Sequence, residues 1–184
     1  LIAACTVICY LLLSAYDLLA LEHLGRPVAF RFVLGCSLTT YSLSHILGAS
    51  TFTGALIRYR AYSSKGLGAA EVGVLVAFCS LTFSIGVMVL LALTFLLDPS
   101  PASRIQTLFA PGQLRLLAFG LIGVIVLYLA GSARGLPDLK IRKFTLSYPR
   151  LAIAMRQVLL GSVELSFAAA IIYFSLPATG DPGF

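Results

Sequence analysis

Residues 70–97 read AEVGVLVAFCSLTFSIGVMVLLALTFLL, and this run decides the fold class. Its one charge, Glu71, stands in the first turn, where the helix dipole favours a carboxylate. About 20 residues at ~1.5 Å rise cross ~30 Å of hydrocarbon. These 28 residues can therefore span with tilt or project from the bilayer. Asp98-Pro99-Ser100-Pro101 supplies the stop. Three further runs pass the same test: Leu1–Ala20, Leu114–Gly131 and Gln157–Leu176. A fifth, Phe32–Ile57, is apolar but broken in its middle.

Composition agrees with that pattern. The 184 residues are 59% hydrophobic and 11% charged, with a mean hydropathy of +0.99. Soluble domains carry roughly 25% charged residues, so too few polar side chains exist here to cover a water-facing surface. The fold class expected is all-α: a polytopic transmembrane bundle with a re-entrant or broken helix pair. Helices are predicted over about 1–20, 32–57 (broken), 70–97, 114–131 and 148–176. The chain starts inside an apolar run without Met and ends on Pro177–Phe184, which suggests a piece of a larger protein. The first run lacks a basic leading segment and a small-residue cleavage site, which argues against a signal peptide.

The first helix meets its stop at Gly25-Arg26-Pro27. In the broken segment, Thr39, Thr40, Ser42, Ser44, Ser50, Thr51 and Thr53 surround His45, and Gly48 and Gly54 interrupt the run. Irregular backbone at membrane depth survives where protein or a watery cavity surrounds it. The basic segment Arg58-Tyr59-Arg60-Ala61-Tyr62-Ser63-Ser64-Lys65 follows. A second basic loop holds Arg134, Lys140, Arg142, Lys143, Arg150 and Arg156, and the positive-inside rule makes it cytoplasmic. Counting back, a re-entrant hairpin turning near Leu47–Ser50 puts both Arg26/Arg31 and Arg58–Lys65 inside. A full crossing would put Arg26 and Arg31 outside, so the charge rule favours the hairpin.

Ser80/Ser84 and Gly120/Gly123 set small residues along helix faces, suited to close packing. Cys5, Cys9, Cys36 and Cys79 lie in apolar runs without metal-ligand or disulfide spacing, and read as small hydrophobes. Phosphate loops, nucleophile elbows and zincin motifs are absent, so neither a cofactor nor a metal is expected. The net charge of +6 sits in helix-flanking loops, which disfavours nucleic acid as a partner.

Ionisable groups inside apolar runs cost about 2.5–3.5 kcal/mol at a helix centre on insertion scales. Asp17, His45 and Glu164 are such groups. Each also has a plain alternative: a helix-end group for Asp17, hydrogen bonds to nearby hydroxyls for His45, and an Arg-paired helix lock for Glu164. Arg58 and Arg60 present planar forks suited to phosphate, and Tyr59 and Tyr62 would add hydroxyl donors. A bland flank touching lipid phosphate without specificity is the competing reading.

Taken in order, Tyr16-Asp17-Leu18-Leu19-Ala20-Leu21, Gly25-Arg26-Pro27, Tyr41-Ser42-Leu43-Ser44-His45-Ile46-Leu47-Gly48, Gly54–Ser63 and Ala77–Phe83 form a pattern. It resembles the N-terminal membrane domain of bacterial lysylphosphatidylglycerol synthase/flippases, the multiple peptide resistance factors. The likeness covers about residues 10–90 and thins over 110–176. It implies a flippase fragment in the bacterial cytoplasmic membrane that moves lysyl- or alanyl-phosphatidylglycerol outward and confers resistance to cationic antimicrobial peptides. A C-terminal synthase domain of the same protein, a phosphatidylglycerol lysyltransferase, would supply the lipid, and a homodimer is open. On this resemblance Arg58, with Arg60, would hold the lipid phosphate. Asp17 and Glu164 would attract the aminoacyl ammonium, and Tyr41, Ser44, His45 and Tyr59 would line the path. A stand-alone transporter with another lipid cargo, or a structural anchor, would share the same composition.

Overall fold

The computed structural model describes residues 1–47, 50–97, 111–135, 139–141, 144–146 and 148–176; the side chains of 45–52, 111 and 139–146 lie outside that description. Six helices are described: α1 Ile2–Leu24, α2 Phe30–Leu47, α3 Ser50–Ser63, α4 Ala69–Leu97, α5 Pro111–Arg134 and α6 Leu151–Ser175. Two short strands, β1 Leu139–Ile141 and β2 Phe144–Leu146, pair antiparallel between α5 and α6. Among the described residues no other strand occurs. Among the described residues four helices are long and apolar enough to cross a bilayer: α1, α4, α5 (from Gly112) and α6. The chain is thus a multi-pass membrane protein.

α1 continues to Leu24, four residues beyond the expected Ala20, and ends on Gly25 in the left-handed region (φ 65°). The Gly25 and Arg26 amides turn back to the Glu22 and Leu21 carbonyls and satisfy the last turn. α6 starts at Leu151, later than the expected 148, with Arg150 as its N-cap.

The broken segment is a helical hairpin. A Cβ built on Gly54 would stand 3.3 Å from Ser44 Oγ and 3.4 Å from Thr40 Cγ2, so α3 runs back antiparallel along α2. At the open end the Phe32 and Tyr62 rings meet edge-on at 6.0 Å, and Lys65 Nζ lies 4.6 Å above the Phe32 ring. Both hairpin ends therefore share one side of the molecule. The Arg26–Glu71 pair at 2.8 Å and the Arg156–Glu22 pair at 3.1 Å bring the ends of α1, α4 and α6 to that same side.

Packing centres on α1 and α4, with α6 against both and α5 on the flank. α4 and α6 cross at Gly86 and Gly161, where a Cβ on either residue would come within 2.5 Å of the other helix's backbone. A polar chain fixes the same seam. Tyr128 Oη donates to Gln157 Oε1 at 2.5 Å, and Gln157 Nε2 donates to Thr82 Oγ1 at 2.9 Å. Ser132 also donates to the Pro149 carbonyl, closing α5 onto the start of α6. The expected small-residue face on α5 does not pack against the described residues: none of them lies within 4 Å of a Cβ at Gly120 or Gly123. Ser80 and Ser84 are exposed on α4.

Candidate functional site

Asp17 sits in α1 roughly 10 Å in from the basic end, counted at ~1.5 Å per residue, and is fully buried. Its carboxylate collects donors from three other helices. Arg58 of α3 gives Nη2 to Oδ1 at 2.7 Å and Nε to both oxygens at 3.2 Å. Ser37 of α2 and Tyr62 of α3 each donate to Oδ2 at 3.0 Å. Cys79 of α4 donates its thiol to Oδ1 at 3.4 Å. A charge taken out of water needs this many partners, because the interior repays desolvation only with good geometry and satisfied lone pairs. Asp17 thereby fixes Arg58, whose guanidinium also lies 5.0 Å from the Tyr41 ring centre, a cation–π distance.

Arg58 forms part of the wall of a cleft of about 310 Å³ between α1, α2, α3 and α4. Thr40, Tyr41, Ser44, Ser80 and Ser84 bring hydroxyls to it, the Tyr16 ring adds to its wall, and Leu13, Val76 and Phe83 make it apolar elsewhere. Arg58 Nη1 lies on the Gly54 side, where an added Cβ would come within 3.5 Å of it. The cleft thus combines one guanidinium with hydroxyl donors, a set suited to an anionic oxygen group. Among the described residues no carboxylate lines it.

Glu164 lies in α6 roughly 20 Å from the basic end and is buried. Cys9 donates to Oε1 and Tyr16 to Oε2, both at 3.2 Å and both from α1. Tyr16 lines the cleft as well, so its ring separates Glu164 from the cleft and links the two.

The sequence-derived site residues thus divide. Arg58, Tyr41 and Ser44 meet at the cleft, with Asp17 behind Arg58. Neither Asp17 nor Glu164 faces into it, so the expectation that both carboxylates meet a cationic headgroup there needs correcting: each is already engaged by donors of neighbouring helices. Arg60 and Tyr59 are exposed on the outer side of α3, away from Arg58. The His45 side chain lies outside the described residues.

Ser37 and Tyr16 were not picked out as site residues, Cys9 and Cys79 were expected only as small hydrophobes, and Tyr62, expected as a hydroxyl donor beside Arg58, donates to Asp17; spacing carried a signal for most of them. Ser37, Tyr41 and Ser44 follow i, i+4, i+7 on one helix face, and Tyr62 is i+4 from Arg58. Cys9 and Tyr16 are likewise i, i+7. Two of the four thiols, expected only as small hydrophobes, are hydrogen-bond donors to the buried carboxylates.

No family model matches the chain. It is similar to an uncharacterised protein from Synechocystis sp., 28% identical over 191 aligned residues that take in 98% of this chain. The chain spans 57% of that relative's length.

Proposed function

We propose that this chain is the membrane part of a phospholipid transporter in which Arg58 receives a lipid phosphate within the α1–α4 cleft. The observation that carries the reading is a buried arginine held on the wall of a hydroxyl-lined cleft, with Asp17 setting its orientation. Asp17 also neutralises it, so phosphate is taken through donor geometry more than through net positive charge. A headgroup that brings its own ammonium then enters at lower electrostatic cost than a bare anion. This agrees with the cargo implied by the family resemblance, aminoacylated phosphatidylglycerol. Under that reading the basic end faces the cytoplasm of a bacterium, the acyl chains stay in lipid, and delivery outward lowers surface negative charge and repels cationic peptides.

The second reading, a stand-alone transporter for another lipid, draws support from the relative's length. The part of the Synechocystis protein beyond the match is shorter than the 191 aligned residues, too short for a synthase domain of several hundred. Quantifying lysyl lipid in the outer leaflet of cells with Arg58→Ala and Glu164→Gln variants, at equal protein level, tests the first reading. Arg58→Ala is expected to lower exposure by roughly tenfold or more, as losing charge-assisted hydrogen bonds predicts, and Glu164→Gln by less. Undiminished exposure in Arg58→Ala would count against it.

A further inference from the structure

A second concave surface lies on the opposite face of α1, between α1 and α6. It is a groove of about 390 Å³ walled by Leu12, Ala15, Leu19, Leu159 and Val163. Its mouth, at the basic end, is formed by Glu22 and Arg156, which pair at 3.1 Å while 54% and 60% exposed. From Leu12 to Glu22 the groove runs roughly 15 Å along α1, about half the ~30 Å hydrocarbon thickness and so the depth of one leaflet. Below the mouth it is apolar, and at the mouth it carries one cation and one anion side by side.

We propose that this groove binds phosphatidylethanolamine, one acyl chain lying against α1 and α6 and the headgroup bridging Arg156 and Glu22. Arg156 takes the phosphate in a charge-assisted contact, and the primary ammonium donates to Glu22. The one-to-one charge match selects the lipid. A phosphatidylglycerol headgroup leaves Glu22 facing a net anion. The quaternary ammonium of phosphatidylcholine has no N–H to donate. A lysylated headgroup adds a positive charge the mouth does not match. An exposed ion pair contributes little to stability, so a headgroup inserts between the partners at small cost. The site is separate from the Arg58 cleft and does not depend on transport.

Native mass spectrometry of the purified full-length protein, titrated with dioleoyl phosphatidylethanolamine, phosphatidylglycerol, phosphatidylcholine and lysyl-phosphatidylglycerol, tests the proposal. Phosphatidylethanolamine is expected to bind at least tenfold tighter than each of the others. The Glu22→Gln/Arg156→Gln double variant is expected to lose that preference, and the exchanged pair Glu22→Arg/Arg156→Glu to keep much of it. Ala15→Phe, which fills the groove below the mouth, is expected to weaken binding of phosphatidylethanolamine while the thermal midpoint stays within a few degrees. Equal retention of the four lipids by the unaltered protein, or a preference that survives the double Gln variant, would overturn it. A preference for the lysylated lipid would overturn it too, and would assign the groove to the cargo.

Discussion

At the scale of single residues, the arrangement is governed by what it costs to leave a polar group alone in hydrocarbon. Asp17 and Arg58 are stable together because each satisfies the other and Ser37, Tyr62 and Cys79 fill the remaining positions on the carboxylate. Asp17→Ala strands the guanidinium and is expected to destabilise the protein by about 3–5 kcal/mol, read as a loss of thermal midpoint in detergent. The Asp17→Ala/Arg58→Ala double variant should cost less than the sum of the singles, because neither charge is then abandoned. Strict additivity would contradict the pairing. Gln157 presents a neutral version of the same logic. Gln157→Leu leaves the Tyr128 hydroxyl without its acceptor, and should cost about 1–3 kcal/mol, while Tyr128→Phe in the Gln157→Leu background should recover part of it.

At the scale of elements, the α4–α6 seam is set by backbone proximity at Gly86 and Gly161, where a methyl group would meet the opposing main chain at 2.5 Å. Gly161→Ala is expected to push the helices apart and cost about 1–3 kcal/mol, whereas Gly120→Ala, facing open space, should leave the thermal midpoint unchanged. The two glycine pairs show where sequence reading stops. Run length and charge spacing make spans visible, because the bilayer imposes a length and an exclusion rule that act locally. They also lead to the expectation of a break within Phe32–Ile57, although Gly54, one of its two expected interruptions, lies inside α3 and Gly48 lies outside the described residues. Which small residues pack is decided by the partner helix, and nothing local separates Gly161 from Gly123. Asp17 and Glu164 stand out as charges in apolar runs and Arg58 as the first residue of a basic segment, but the Asp17–Arg58 bond joins residues 41 apart and the Glu164–Cys9 contact residues 155 apart. The β1–β2 hairpin gave no periodic signal, since each strand has only three residues.

At the scale of the whole molecule, the connections near Arg26 and Lys65 share one end with the start of α6, and the C-terminal end of α4 lies at the other. Cysteines introduced at Arg26 and Ser64 should react with an impermeant maleimide from the same side of sealed vesicles, and one at Leu97 from the opposite side. Labelling of 26 and 64 from opposite sides would turn the α2–α3 hairpin into a full crossing. The transport proposal adds a stronger demand, that lipid phosphorus reach a guanidinium held among four helices. The most direct test is a solid-state NMR measurement of ¹⁵N–³¹P dipolar coupling in bilayers containing aminoacylated phosphatidylglycerol, with the Arg58 signals identified by subtracting the Arg58→Lys spectrum. The account predicts phosphorus within hydrogen-bonding reach of the Arg58 side-chain nitrogens. Coupling confined to the exposed arginines, with none at Arg58, would contradict it.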